Sequence, residues 1–239
     1  MSPGGSRIYR HDEPSEAAGL SHGDPQLIEA IERHIDRCFG PAERWIFHEE
    51  VSPHVHVDIH LVPPTDEFPV QRLVTSGMAE APMTVPADFE ATRFAELTIA
   101  LPEEWPMSQD AFEDERVYWP IRLLKGLARL PHEYSTFLWY GHTVPNGTPP
   151  ARYADNTNLC CAMIVPPLIA PARFHELDLD DGRRVRFLGV LPIYRDEMRV
   201  KLKKGSDALY DLFDAYDVTD LVDPSRRSLA PKRRRLLGL

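Results

Sequence analysis

Cysteine is scarce in this chain. There are 3 in 239 residues, at Cys38, Cys160 and Cys161. That is too few for a disulfide framework, and vicinal cysteines rarely bridge each other because the ring is strained. An odd count with no Cys-x-x-Cys pair fits a reducing compartment, with inert buried thiols. Long apolar runs are missing too. No window reaches 18 apolar residues, which argues against a transmembrane helix. Met1 to His22 is rich in Gly, Ser and charge and lacks the apolar core of a signal peptide, so a cytoplasmic protein is expected. Also lacking are a Gly-rich phosphate loop, a Gly-x-Ser-x-Gly elbow and any internal repeat. His132-Glu133 has no second histidine to make a metalloprotease helix. Ser76 has no identifiable base. With no complete catalytic constellation, the chain is expected to be no enzyme and to use no cofactor and no metal.

What the sequence does have is proline and acid. Its 23 prolines are spread along the chain, marking turns and edge strands. The formal charge is −10, unevenly placed. Residues 224–239 carry Arg226, Arg227, Lys232, Arg233, Arg234 and Arg235 and no acid. Setting those six aside leaves 21 basic groups against 37 acidic ones, a body at −16. Such a body repels the phosphate backbone and argues against a nucleic-acid binder. The organisation expected is a disordered leader at 1–22, one domain at 23–223, and a solvated basic tail at 224–239.

Within the domain, Asp24-Pro25 sets a cap with proline at the first helical position. Leu27, Ile28, Ile31 and Ile35 follow at helical spacing, and Gly40-Pro41 stops the helix. From 45 to 101 the period falls to two. Val55, Val57, Ile59 and Leu61 alternate with His54, His56, Asp58 and His60, the default pattern of an antiparallel strand with an apolar inner face and a polar outer one. Further strands are expected at Arg72–Ser76 and Glu96–Leu101, a surface loop at 103–116, and a helix over Trp119–Leu130 closed by Pro131. Asn146-Gly147 and Pro149-Pro150 mark a loop, and Ala162–Val165 and Phe174–Leu179 read as strands. Asp181-Gly182 turns a hairpin into Val185–Leu191. A helix over Arg195–Lys204 ends at Gly205, and Ser206 caps another over Asp207–Tyr216. Strands around a central helix without βαβ regularity predict an α+β fold, a mixed or antiparallel sheet flanked by helices.

Two segments could carry chemistry. On a strand, His54, His56, Asp58 and His60 share one face with Cβ atoms about 6.6 Å apart along the chain. Neighbours at that spacing could share a metal, but four ligands on one flat strand do not close a tetrahedron. The alternative function is therefore a metal-dependent hydrolase using His54, His56 and Asp58 with His142. The second segment is Tyr140-Gly141-His142-Thr143, where glycine allows close approach and His beside Thr supplies donors and acceptors on a loop.

Several stretches in order resemble a known family. They are Val57-Asp58-Ile59-His60 into Pro63-Pro64-Thr65, Leu73-Val74-Thr75-Ser76-Gly77-Met78 with Pro82-Met83, and Glu96-Leu97 with Leu101-Pro102 and Trp105. Then come Leu127-Ala128-Arg129-Leu130-Pro131, Tyr140-Gly141-His142-Thr143, Pro192 with Tyr194, Glu197-Met198, and Lys204-Gly205-Ser206-Asp207-Ala208-Leu209. Over about residues 45–216 this is similar to the suppressor-of-fused domain family in its bacterial form. The resemblance implies protein binding rather than catalysis, and for bacterial members an immunity role against a toxin encoded alongside. Animal members carry Gly-Asp-His where this chain has Tyr140-Gly141-His142, and continue into a second lobe, so their zinc-finger transcription-factor partner does not carry over. The expectation is a protein partner, a toxin, met by His56, Asp58 and His60 on an exposed strand face and by Tyr140, His142 and Thr143 on the loop. A housekeeping adaptor is the remaining alternative.

Overall fold

The computed structural model describes residues 1–11, 13–15, 19–41, 46–48 and 52–231. Its elements are β1 (Leu20–Ser21), α1 (Pro25–Phe39), β2 (Ile46–Phe47), β3 (Ser52–Pro53), β4 (Asp58–Val62), β5 (Val70–Ser76) and β6 (Ala95–Pro102), then α2 (Glu115–Glu133) and β7 (Thr143–Pro145). They continue with β8 (Cys161–Val165), β9 (Glu176–Asp178), β10 (Arg184–Ile193), α3 (Arg195–Lys204) and α4 (Asp207–Asp214). One mixed sheet runs β2-β4-β5-β6-β10-β8-β7, with β9 paired to β10. Among the named strands of the described residues, the β6–β10 pairing is the parallel one. The small β1–β3 pair stands apart.

Both faces of this sheet are covered. Period-two alternation sends Val57, Ile59, Leu73, Leu97 and Ile99 to one side, where they pack with Trp119, Leu123, Leu124 and Leu127 of α2. Val62, Val74, Val185 and Phe187 go to the other side and meet Leu27, Ile31 and Ile35 of α1. Cys161, Met163, Leu191 and Ile193 pack with Leu209 and Phe213, which belong to α4. The expected one-sided sheet is therefore corrected. The alternation of β4 is real, but its polar side lies beneath α1 and not in water.

Local chemistry fixes the helix ends. Asp24 accepts from the amides of Gln26 and Leu27, and the helix ends at Gly40, where φ is +88°. α2 begins four residues earlier than the spacing suggests, capped by Asp114, and runs through Pro131 to Glu133. Pro120 inside it has no N–H to give Arg116, whose freed carbonyl takes Asn156 Nδ2 at 3.3 Å. Nearby, Arg122 donates to the Tyr153 carbonyl at 2.8 Å, and the Tyr153 ring stacks on Trp119 with centroids 5.1 Å apart. The loop of 146–157 is thus fastened along α2. Ser206 does not cap α4 with its side chain, because its own backbone is already helical.

The two ends also depart from expectation. Described leader residues lie against the body: Gly4 N–H donates to the Leu202 carbonyl at 2.9 Å, and β1 pairs with β3. Leader positions 12 and 16–18, and positions 42–45 and 49–51 of the region that opens the period-two pattern, lie outside the described residues. In the tail, Arg226 reaches the wholly buried Glu197 at 2.6 and 2.7 Å and stacks over Tyr194. It is a core cation, not solvated charge. Lys232, Arg233, Arg234 and Arg235 lie outside the described residues.

Candidate functional site

The polar residues of β4 and the turn before it are paired among themselves. Asp58, 1% exposed, accepts from His48 Nδ1 and from His56 Nε2, each at 3.0 Å. Those bonds set the tautomers, since a carboxylate can only accept. His56 is 5% and His60 is 0% exposed. His60 Nε2 shares a 2.8 Å bond with Ser76 Oγ across the β4–β5 ladder. The exposed face expected for His56, Asp58 and His60 is not found. Only His48, two-thirds exposed, carries this row to the surface.

His54 leaves the row altogether. Its φ of +67° turns the chain left-handed before β4 begins. It lines a surface recess with Glu80, His132 and Ser21 instead. His132 donates to the Met78 carbonyl at 3.0 Å, and burial holds its pKa below the usual histidine value. Among the described residues, no group of three or more His, Cys, Asp or Glu converges as metal ligands would.

Beside this row sits a group that spacing did not single out. Glu96 is wholly buried and accepts from Thr75 Oγ1 at 2.6 Å and from the amides of Gly77 and Ala79 at 2.9 Å. Burial outweighs those donors and raises its pKa to about 7. Thr75-Ser76-Gly77 is a tight turn with a purpose. Gly77 has φ +110°, and a Cβ there would lie 1.7 Å from the His56 carbonyl oxygen. The sequence signals for Glu96 were an acid opening a mostly apolar strand and its place in the Glu96-Leu97 stretch of the family resemblance.

The second segment lies at the opposite flank. Gly141, at φ +80°, donates its N–H to the Ile164 carbonyl at 2.8 Å and leads into edge strand β7. His142 packs edge-on to Phe137, centroids 4.8 Å apart, and burial with the nearby Lys201 charge lowers its pKa to about 4. It is therefore a neutral ring at physiological pH. Thr143 Oγ1 accepts from Lys201 Nζ at 3.1 Å. Burial depresses the Lys201 pKa. His142 and Thr143 line a cavity of about 270 Å³ with Phe137, Val144 and Met198. Tyr140 lines a separate recess with Leu168, Tyr210 and Phe213, and burial raises its phenol pKa. Lys201 was hidden in sequence, because a lysine in a Lys-rich helix looks like solvated charge.

The six candidates do not form one patch. Four strands separate β4 from β7. At about 4.8 Å per strand spacing, the two groups stand roughly 24 Å apart. The His142 side opens a cavity at a sheet edge, while the Asp58 side is closed.

Comparison with known proteins gives this geometry a lineage. The chain resembles a suppressor-of-fused homologue from Neisseria gonorrhoeae with a TM-score of 0.63 and 18% identity, over 86% of this chain and 98% of that one. The structure of a Sufu–Fu complex matches at TM-score 0.55 and 13% identity, over 86% of this chain and 93% of the other. Drosophila Suppressor of Fused matches at TM-score 0.56 and 12% identity, and this chain spans 52% of its length. No curated protein sequence matches. These likenesses establish the α+β fold. The model of the suppressor of fused protein family matches residues 53–227, most of the chain. The chain belongs to the suppressor-of-fused family.

Proposed function

We propose that this chain is a non-catalytic protein-binding domain of the immunity type, which neutralises a cognate bacterial toxin from the cytoplasm. The observation that carries the reading is the β7 flank. There an edge strand, an apolar cavity and the neutral His142 beside Thr143 adjoin one another on a chain of net charge −10. Negative charge steers a basic partner to the surface, and the apolar cavity and strand edge then give it a specific seat. That a family relative was crystallised as a Sufu–Fu complex supports partner binding as the mode of action.

Within this reading, direct contact falls to His142 and Thr143, with Tyr140 serving the adjoining recess. At the other flank Asp58 acts from beneath by holding His48, with His56 fixing Asp58, while His60 bonds Ser76 within the sheet. The test is co-expression with a basic toxin encoded in the neighbouring reading frame. The expected result is restored growth and a stoichiometric complex. Affinity should fall at least tenfold in a His142→Ala/Thr143→Ala variant that melts like wild type, and fall with added salt. A complex that leaves the toxin fully active would point to an adaptor. No complex with any neighbouring product would remove the immunity reading.

A further inference from the structure

The described residues from Met1 to Ser15 form a strap anchored at two points, with a loose stretch between them. At one end, Gly4 sits so close to the end of α3 that a Cβ would meet the Gly205 nitrogen at 2.4 Å and the Lys204 nitrogen at 2.6 Å. Its N–H supplies the Leu202 carbonyl, one of the last-turn acceptors that a helix cannot satisfy internally. Ser2 closes the adjoining turn: its N–H donates to the Ser6 carbonyl at 2.8 Å, its carbonyl accepts from the Gly5 amide at 3.0 Å, and its hydroxyl accepts from the Ser6 amide at 3.0 Å. At the other anchor, Ser15 donates its N–H to the Glu133 carbonyl at 2.5 Å, and its hydroxyl lies 2.8 Å from the same oxygen.

Between these anchors, residues 7–11 make no hydrogen bond to the body among the described residues. Rings hold them instead. Tyr9 lies 6.0 Å from both Phe137 and His142, and His11 lies 5.2 Å from Tyr134. Arg7, Ile8, Tyr9 and His11 form one wall of the 270 Å³ cavity and leave it unfilled. Ile8 is 47% and Tyr9 38% exposed. A stretch with few buried contacts and no backbone bonds opens at little free-energy cost.

We infer that Arg7–His11 is a displaceable plug seated in a docking groove at the β7 edge. The groove accepts an extended segment that packs an aromatic ring against the Phe137–His142 pair. In the resting chain that segment is the chain's own, and an incoming partner must exchange with it. This deepens the reading of the β7 flank as the partner surface and rests on it, but its test requires no partner.

The probe is a fluorescent synthetic peptide of residues 6–11, titrated against the full chain and against a full-chain Tyr9→Ala variant. The tethered copy acts at an effective concentration on the order of millimolar, so the wild type should bind the peptide at least tenfold more weakly than the variant. A peptide with alanine in place of tyrosine should bind neither. Equal binding to both proteins, or binding indifferent to the ring, overturns the inference. Hydrogen exchange of the wild type gives a second reading. Amides of 8–11 should exchange at least tenfold faster than those of Gly4 and Ser15, and equal protection would show a fixed segment, not a plug. Failure here leaves the toxin reading standing, and failure of that reading leaves the peptide titration interpretable.

Discussion

The Glu96 corner and the His142 groove draw on similar side chains and settle them in opposite ways. At the corner, one carboxylate collects a hydroxyl and two backbone amides, and Gly77 closes the turn with no room for a methyl. At the groove, an imidazole, a hydroxyl and an ammonium border a cavity that the chain's own strap spans without filling. Polar residues under a sheet serve the fold when backbone groups saturate them. They remain available for binding when their partners are other side chains at an open edge. The difference lies in what answers them, not in which residues they are.

The sharpest way to break the corner is Gly77→Ala. The clash is with backbone and φ is positive, so the chain itself must move. A loss of about 3 kcal/mol or more is expected, roughly 6–12 °C in Tm for a chain of this size. Melting within 2 °C of wild type would show the turn to be forgiving. Arg226→Ala should cost about 3 kcal/mol, because it strands the buried Glu197 carboxylate. A urea midpoint unchanged by that substitution would return Arg226 to the solvated tail.

Glu96 offers a test in pH. A carboxyl whose pKa rises on folding holds its proton more tightly in the native state. Its contribution is complete below its unfolded value near 4.5 and is lost as pH climbs through about 7. Across that window wild type should lose about 3 kcal/mol from this group, and Glu96→Gln should remove that slope from the urea midpoints. Parallel pH profiles would place the titration elsewhere. The smallest effect is expected at His48→Ala, under about 1 kcal/mol, since its bond to Asp58 is made from an exposed ring. A larger loss would mean that the Asp58 row depends on its surface member.

Much of this was legible in the residues. Asp24-Pro25 and Gly40 bounded α1, and Asp181-Gly182 located the β9–β10 hairpin. The α+β class followed from the order of elements, and the family from dispersed motifs. The outer face of β4 was not legible. Alternation reports that two faces differ, and it cannot tell water from a helix that brings its own polar groups. α1 contributes His34 to the buried side, bonded to the Phe174 carbonyl at 3.2 Å, and Glu32 within 4.0 Å of His60. Burial of Lys201 and Arg226 was equally invisible, since both sit in basic runs and their partners Thr143 and Glu197 are 58 and 29 residues away. Of the site, the sequence put His142 and Thr143 together on a loop, whereas Thr143 opens strand β7, and it did not show the strand distance that separates them from His56.

Pro120, in the second turn of α2, has a mechanical consequence. By leaving the Arg116 carbonyl open, Pro120 gives Asn156 something to grip, and Arg122 and Trp119 hold the next stretch of the same loop. That loop continues directly from β7. A force applied to the edge strand is therefore carried into the longest helix of the described chain, and through it into the larger core. The β7 rim is braced like a bracket bolted to a beam, and a load placed there works against the larger core.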